Sequence, residues 1–275
     1  MEEFSQNELK EIVGRFPIEW EIPNFKINFF KGKSTKYCLV IPVINEGDRI
    51  RLFLERLKKL KIASLTDIII IDGGSTDNSL NKKNLISFEV CGLLTKIDIG
   101  KLSSQLRIAY AFALVNNYEG IITIDGNNKD DPSNIFKSIQ LLDKGYDFVQ
   151  ASRFLKGGKH INTPIIRYLA IRLIHAPLLS IFSGFYWTDT TQGFRAYSKK
   201  CLIDSRIKPF RDIFLDYELL AYLSYRAPRV GLKCIEFPSS RYYPRGKVPT
   251  KISNFNGNIK LIKTLLKACF GRFNP

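Results

Sequence analysis

The chain has 275 residues, of which 45% are hydrophobic and 25% charged, so it is long and apolar enough to bury a sizeable core. Its net charge of +16 predicts an anionic partner: a phosphorylated ligand, an anionic membrane surface or nucleic acid. Five widely spaced cysteines without a Cys-x-x-Cys pair argue against a disulfide framework and a zinc site.

The sequence also bears on the compartment. Its first residues, MEEFSQNELKE, are acidic and polar, so we expect no signal peptide. The longest apolar stretch, residues 164–187, is interrupted by Arg167, Arg172 and His175, so we expect no membrane-spanning helix. With free thiols typical of a reducing compartment, this predicts a cytoplasmic protein, soluble or peripheral on the cytoplasmic face of a membrane.

Strand and helix patterns alternate over the first 150 residues. Five apolar runs are typical of buried strands: 37–44, 67–71, 90–97, 120–125 and 146–151. Three segments between them have apolar side chains at helical spacing: 48–61, 103–115 and 133–144. This alternation predicts an α/β fold, with a mostly parallel central sheet flanked by helices.

Polar, acid-bearing turns follow three of these strands. Asn45 and Glu46 follow the first, Asp72 the second, and Asp125 the fourth, in the stretch GIITIDGNNKDDP. The carboxyl ends of parallel strands share one edge, where open α/β sheets bind ligands. Carboxylate and amide oxygens there suit Mg²⁺ or Mn²⁺, and such a cation suits phosphates. The alternative is that each turn only closes its strand.

The second half departs from this alternation. Residues 163–182 predict a basic amphipathic helix, which would lie in a membrane interface or pack on the core. Residues 212–225 predict a helix, residues 234–237 a strand, and residues 241–251 (RYYPRGKVPTK) a basic loop. We expect three parts, with a basic amphipathic helix in the last: an extension over 1–36, a main domain over 37–251 and a C-terminal part over 252–275.

Over about residues 37–251 these motifs together resemble the family 2 glycosyltransferases of the GT-A (Rossmann-like) fold. The nearest branch is the dolichyl- or polyprenyl-phosphate sugar synthases. VIPVINE resembles the first strand and its turn, IIIIDGGSTDNS the nucleotide-binding turn, and TIDGNNKDDP the strand with the Asp-x-Asp metal motif. SRF (152–154), TDTTQGFRAY (188–197) and the basic loop resemble later blocks.

The resemblance implies roles for individual residues, each carried over by its match to a family motif. Those expected at the nucleotide are Pro42, Asn45, Glu46, Asp72, Gly73 and Asp125. Those expected at the metal are Asp125 and Asn127. Those expected at the acceptor are Arg153, Arg167, Arg195 and Lys251.

Two residues depart from the family pattern. Asn127 replaces the second carboxylate of the metal motif, and Lys129 stands where the lipid-phosphate branch can place a metal-binding glutamine. Weak binding of the divalent cation is therefore expected, unless Asp130 or Asp131 supplies a ligand. Alternatively, Lys129 itself neutralises the diphosphate.

The resemblance implies inverting transfer of a sugar from a UDP- or GDP-sugar to a phosphate-bearing lipid or glycan, in cell-surface polysaccharide or glycolipid synthesis. A phosphate acceptor is already ionised and needs no general base. A hydroxyl acceptor needs a carboxylate within hydrogen-bond reach, and the candidates are Asp189, Asp216 and Glu218. Each has a purely structural alternative as a cap, turn or solvated helix residue.

Other functions fit less well. A degenerate relative that binds nucleotide sugars without turnover is the main alternative, because of Asn127. A nucleotide-sugar pyrophosphorylase would need a glycine-rich basic loop after the first strand, and a dinucleotide oxidoreductase would need Gly-x-Gly-x-x-Gly there; the sequence has PVINEGD. The basic residues form no recognisable nucleic-acid motif, so no nucleic acid is expected as a partner.

Overall fold

The computed structural model describes residues 11–244, apart from Val13, and 255–275, with only the backbone given at 255–258. The strands are β1 (Phe25–Phe30), β2 (Tyr37–Val43), β3 (Thr66–Asp72), β4 (Val90–Lys96), β5 (Gly120–Thr123), β6 (Phe148–Ser152), β7 (Lys159–Ile161), β8 (Arg195–Ser198), β9 (Cys234–Pro238) and β10 (Ser240–Tyr242). The helices are α1 (Asp48–Lys59), α2 (Lys82–Ser87), α3 (Leu102–Val115), α4 (Ile135–Asp143), α5 (Ile165–Ser183), α6 (Lys199–Ile203), α7 (Glu218–Arg229) and α8 (Phe255–Cys269). Short 3₁₀ turns lie at Ile62–Ser64 and Pro132–Asn134.

Eight strands form the central sheet, in the order β1-β4-β3-β2-β5-β8-β6-β9. The strands β4, β3, β2 and β5 are parallel neighbours, whereas β1 and β8 run antiparallel to theirs. A second, two-stranded sheet pairs β10 with β7. The predicted α/β fold with a mostly parallel sheet is therefore confirmed. The antiparallel β8, within the block 188–198, was not anticipated.

Two apolar layers cover the two faces of the sheet. Alternate residues of β2 point to opposite sides, so that Val40 packs in the layer with α3 and α7 while Leu39 packs in the layer with α1 and α4. Because both faces are covered, the central strands need apolar residues at every position rather than at every second one. This explains the unbroken apolar runs at 37–43 and 68–71. Separately, all five cysteines are free thiols, as the sequence predicted.

The two predicted terminal parts are joined to this core. β1, from the first 36 residues, is an edge strand of the central sheet and pairs with β4. In α8 the side chains of Leu265, Ala268 and Cys269 are buried in the layer that contains α3 and α7. The expected division at residues 36 and 251 stays a prediction, and hydrogen bonds and apolar packing connect the described residues across both boundaries.

The helix predicted over residues 212–225 instead begins at Glu218. Tertiary hydrogen bonds occupy the preceding residues: Asp212 N–H donates to Glu21, and the N–H groups of Lys101 and Ser104 donate to the carbonyl of Leu215. The 212–217 segment therefore closes the amino end of α3 and does not continue α7.

Helix α5 lies at the surface. It contains a π-helical segment at Ile171–His175, just before Pro177, which has no N–H to donate to the preceding turn. By length and composition α5 is apolar enough to cross a membrane, a property that we did not expect of any segment, and only 17% of its most apolar window is buried in the fold. Ile171, Ala176 and Leu179 face the protein.

Candidate active site

The ends of β2 and β3 are tied together by a polar network. Asp72 Oδ1 accepts hydrogen bonds from the backbone N–H and the hydroxyl of Ser75, at 2.9 and 2.6 Å. Ser75 Oγ in turn accepts from the N–H of Asn45 at 3.0 Å, and Asn45 Oδ1 accepts from the N–H of Thr76 at 2.8 Å. The expected nucleotide residues Asn45 and Asp72 therefore lie together at one sheet edge, as parallel strands require.

Gly73 packs against a buried glutamine beneath this network. Gln105, on α3, donates to the carbonyl oxygens of Val43 and Ile71 at 3.0 and 2.9 Å, so it bonds a carbonyl near the carboxyl end of each strand. A Cβ at position 73 would lie 3.1 Å from Gln105 Nε2. The chain can therefore pass close to α3 here because residue 73 has no side chain. Beside it, Glu46 is buried and paired with Arg49 at 2.8 Å.

Asp125 follows β5 at the same edge, close to three other residues. Its Oδ2 accepts from Arg241 Nη2 at 3.0 Å and from Asn127 Nδ2 at 3.3 Å. Its Oδ1 faces Gly193, where an added Cβ would come within 2.3 Å of that oxygen. The carboxylate is therefore fixed by a cation on one side and by glycine backbone on the other.

Replacing Gly193 with alanine is expected to displace Asp125, because an approach of 2.3 Å is far inside van der Waals contact. We expect the sugar transfer that the family resemblance implies to fall at least about tenfold, since a small displacement of a group that positions the substrate costs orders of magnitude in rate. Gly14→Ala is the control, because a methyl group there meets nothing within 4 Å. Steady-state kinetics of both variants test this, and a Gly193→Ala enzyme as active as Gly14→Ala would contradict it.

Arg241 also binds a second carboxylate. Its Nη1 donates to Asp130 Oδ2 at 2.5 Å, and the other oxygen of Asp130 accepts from Gln192 Nε2 at 2.7 Å. Backbone hydrogen bonds fix this contact, because Tyr242 N–H donates to Lys129 O at 2.8 Å and residues 130 and 241 form a β-bridge. Arg241 is 7% exposed and thus occupies a defined position between the two acidic side chains.

Four cationic side chains surround the buried Tyr243. Arg153 and Arg167 both donate to its hydroxyl, at 3.3 and 3.2 Å. Lys129 Nζ lies 5.1 Å from its ring centroid, and the guanidinium carbon of Arg241 lies 5.7 Å from it. Burial alone would raise the pKa of Tyr243, but the three guanidinium groups outweigh burial and lower it. We call these five residues the Tyr243 cluster.

The cluster carries more positive than negative charge. Its four cations lie among three carboxylates, since Arg153 pairs with Asp189 and Arg241 pairs with Asp125 and Asp130. Burial, together with Arg241 and Arg167, lowers the pKa of Lys129 from its usual value. A negative group that binds beside Lys129 would offset the excess positive charge. Sequence analysis singled out Arg153 and Arg167 but missed Tyr243 and Arg241; the only signal for them was their place in the basic loop after residue 240.

Arg153 is itself held in a buried ion pair. Its Nε and Nη2 donate to the two carboxylate oxygens of Asp189, at 2.6 and 2.9 Å, and both side chains are almost completely buried. Burial would raise the pKa of Asp189, but the charge of Arg153 and its hydrogen bonds hold that pKa below the usual value. With both oxygens occupied by Arg153 and Thr191, Asp189 is placed to orient Arg153 rather than to accept a proton.

A further acidic residue supports this pair. Glu236, on β9, accepts from the backbone N–H groups of Thr188 and Asp189 at 2.8 and 2.9 Å, so it fixes the loop that carries Asp189. Burial raises the pKa of Glu236 to about 7, although these hydrogen bonds favour its ionised form. Sequence analysis did not single out this residue.

The remaining expected site residues lie elsewhere. Arg195 is completely buried and donates to the carbonyl oxygens of Thr190, Gln192 and Leu220, a placement that supports the chain rather than a surface acceptor. Asp216 pairs with Lys260, and Glu218 accepts from the N–H of Asp216 at 2.6 Å at the start of α7. Lys251 lies outside the described residues. The roles expected for these residues stay predictions.

Asp125 and Asn127 do not present a ready metal-binding set. The side-chain nitrogen of Asn127 faces Asp125, while its oxygen accepts from the N–H of Lys129 at 3.2 Å. Asp130 is bound to Arg241, and Asp131 accepts from the N–H of Ser133 at 3.0 Å. Within the part of the chain that the structure describes, no cluster of three or more His, Cys, Asp or Glu side chains could hold a metal ion.

Comparison with known proteins gives several relatives, although no protein-family profile matches the chain. It is 25% identical over 234 residues to an uncharacterized protein of Methanocaldococcus jannaschii, covering 84% of this chain and 92% of that one. It is 22% identical over 219 residues to the polyprenol monophosphomannose synthase of Mycolicibacterium smegmatis, covering 74% and 77%. It is 29% identical over 152 residues to an undecaprenyl-phosphate 4-deoxy-4-formamido-L-arabinose transferase of Yersinia enterocolitica, covering 52% of this chain and 43% of that one.

Solved structures share the fold. The glucosyl-3-phosphoglycerate synthase of Mycobacterium tuberculosis, in complex with Mn²⁺, UDP-glucose and phosphoglyceric acid, superposes with a TM-score of 0.63 at 16% identity. The match covers 86% of this chain and 80% of that one. At this identity the likeness concerns the fold, and it confirms the architecture expected from the sequence.

Proposed function

Because the chain is related to the family 2 glycosyltransferases and has their GT-A fold, we propose that it transfers a sugar from a UDP- or GDP-sugar to a phosphate-bearing lipid or glycan acceptor. The observation that carries this proposal is the Tyr243 cluster, which adjoins Asp125 through Arg241. The cationic side chains of this cluster would bind an anion next to the sheet edge where a nucleotide sugar would bind.

The donor would bind over the ends of β2, β3 and β5. Asn45 and Asp72 lie at one end of this edge and Asp125 at the other, as a nucleoside and its diphosphate require. If a divalent cation takes part, Asp125 and Asn127 are the residues that would hold it, and it would stabilise charge on the diphosphate. We expect weak binding of the cation, because Arg241 and the Asn127 amide group must turn away from Asp125 first.

The acceptor phosphate would bind at the Tyr243 cluster. Arg167 is only partly buried there, so it is placed to contact an incoming group, whereas Arg153 is committed to Asp189. A phosphate oxygen would attack the anomeric carbon as the bond from that carbon to the diphosphate breaks. The electron pair of that bond leaves with the nucleoside diphosphate, and the configuration inverts. No general base is needed, because the attacking phosphate is already ionised.

Helix α5 supports a lipid acceptor. It carries Arg167, and several of its apolar side chains are 45 to 77% exposed: Ile165, Ile166, Leu169, Leu173 and Ile181. An exposed apolar stripe with flanking arginines is typical of a helix that lies in an anionic membrane interface. We propose peripheral contact with the cytoplasmic face of a membrane, which would bring a lipid phosphate to the Tyr243 cluster.

A transfer assay tests the function. UDP- and GDP-sugars are supplied with polyprenyl phosphate or with the unphosphorylated polyprenol, and we expect product only with the phosphate.

Arg167→Ala should raise the KM for polyprenyl phosphate at least about tenfold and should raise the KM for the donor far less. Arg172→Ala, which removes an equal charge from the same helix, is the control. Equal activity with polyprenol would overturn the phosphate acceptor. Donor binding without turnover would favour the degenerate relative.

A further inference from the structure

We propose that Arg241, together with Lys129, supplies as a fixed part of the protein the positive charge that a divalent cation would otherwise bring to the diphosphate, so that nucleotide binding does not require a metal. This inference rests on the proposed function and specifies its electrostatics. The side chains around Asp125 do not offer the free oxygen ligands that a metal ion requires.

The first step is the position of Arg241. Its two terminal nitrogens donate to Asp125 and Asp130, at 3.0 and 2.5 Å. A cation placed at the free edge of Asp125 would therefore meet a guanidinium group that already holds one of the two carboxylate oxygens. The other oxygen faces Gly193. Entry of a metal would require Asp125 to give up its contact with Arg241, and breaking a charge pair in a partly buried site is costly.

The second step is the orientation of Asn127. Hydrogen bonding on both sides fixes its amide, because the oxygen accepts from Lys129 N–H and the nitrogen donates to Asp125. The nitrogen of an amide group is not a metal ligand in proteins, whereas its oxygen is. The residue at the second position of the metal motif is thus arranged to donate a hydrogen bond to Asp125.

The third step is the charge balance. Asp125 and Asp130 carry two negative charges, and both pair with Arg241. Lys129, whose Nζ lies over the same Tyr243 ring as Arg241, adds a second positive charge. One divalent cation would offset two carboxylates in the same way. Arg241 is fixed by the β-bridge to residue 130, so its charge is oriented before substrate arrives, as effective electrostatic stabilisation requires.

The experiment measures nucleotide affinity with and without metal. Metal-stripped full-length protein is titrated calorimetrically with UDP and with GDP, in EDTA and in Mn²⁺. For whichever nucleotide binds, we expect the two dissociation constants to agree within about threefold. Binding seen only with Mn²⁺ would overturn this proposal and leave the proposed function standing. If neither nucleotide binds in either buffer, the proposed function fails, and this inference fails with it.

Arg241→Met provides the second arm. The variant should bind the nucleotide at least about tenfold more weakly in EDTA, and Mn²⁺ should restore part of that loss, because Asp125 and Asp130 are then available to the ion. Arg206→Met, which removes an equal charge from an exposed pair with Asp204, should behave as wild type in both buffers. An Arg241→Met protein with unchanged affinity in EDTA would overturn the proposal. If it does not fold, the wild-type comparison still decides.

Discussion

Asp125→Ala is expected to lower kcat/KM for sugar transfer by at least about a hundredfold, the usual cost of removing one preorganised electrostatic group. The carboxylate follows β5 at the shared strand edge and holds Arg241 through Nη2 at 3.0 Å. Without it, both the proposed contact with the donor and one of the two anchors of the guanidinium group are lost. Steady-state kinetics with the donor that binds would measure the effect.

Loss of folding should not explain this result. In the variant Arg241 retains Asp130 as a buried partner at 2.5 Å, so no buried charge is left alone. Thermal unfolding should therefore change little. Asp48→Ala is a suitable control, because its carboxylate is 85% exposed and pairs with Arg51 on the same helix. Near-normal transfer by Asp125→Ala would remove Asp125 from the site.

Asp189→Ala is expected to destabilise the fold by about 3 to 5 kcal/mol, the cost of leaving one partner of a buried ion pair uncompensated. The side chain of Arg153 is 1% exposed and that of Asp189 is fully buried, so water cannot replace the lost carboxylate. Chemical denaturation would measure the difference in the free energy of unfolding.

A matched surface variant shows how much of this destabilisation comes from the burial of the ion pair rather than from the loss of an ion pair in general. Glu55→Ala breaks an exposed pair with Arg51, whose side chain is 50% exposed, and should cost less than about 1 kcal/mol. The result also discriminates between two roles for Asp189. A general base would lose turnover on substitution by asparagine and keep its stability, whereas a partner of Arg153 would lose stability. An Asp189→Asn protein that is stable but inactive would support the base.

The resemblance to the family 2 glycosyltransferases was accessible from the sequence because the motifs that carry it are local. VIPVINE, IIIIDGGSTDNS and TIDGNNKDDP each join a buried strand to its turn, and strand patterning with turn chemistry is readable over a few residues. The named relatives confirm the glycosyltransferase resemblance. The convergence of Asn45, Asp72 and Asp125 on one edge followed from the rule that parallel strands align their carboxyl ends, and β2, β3 and β5 are such neighbours.

The α/β architecture, the strand-end turns and the resemblance to the family 2 glycosyltransferases could be predicted from the sequence, since each depends on short-range patterns. Which charges meet depends on the tertiary fold. Arg241 reaches Asp125 and Asp130 across more than 110 positions, and Asp189 reaches Arg153 across 36. No local pattern encodes such a pairing, because it depends on how β10 and the loop before β8 pack against the turn after β5. For the same reason the sequence offered Asp189 as one of three candidate bases, and it placed Tyr243 and Arg241 in a basic loop without a role of their own.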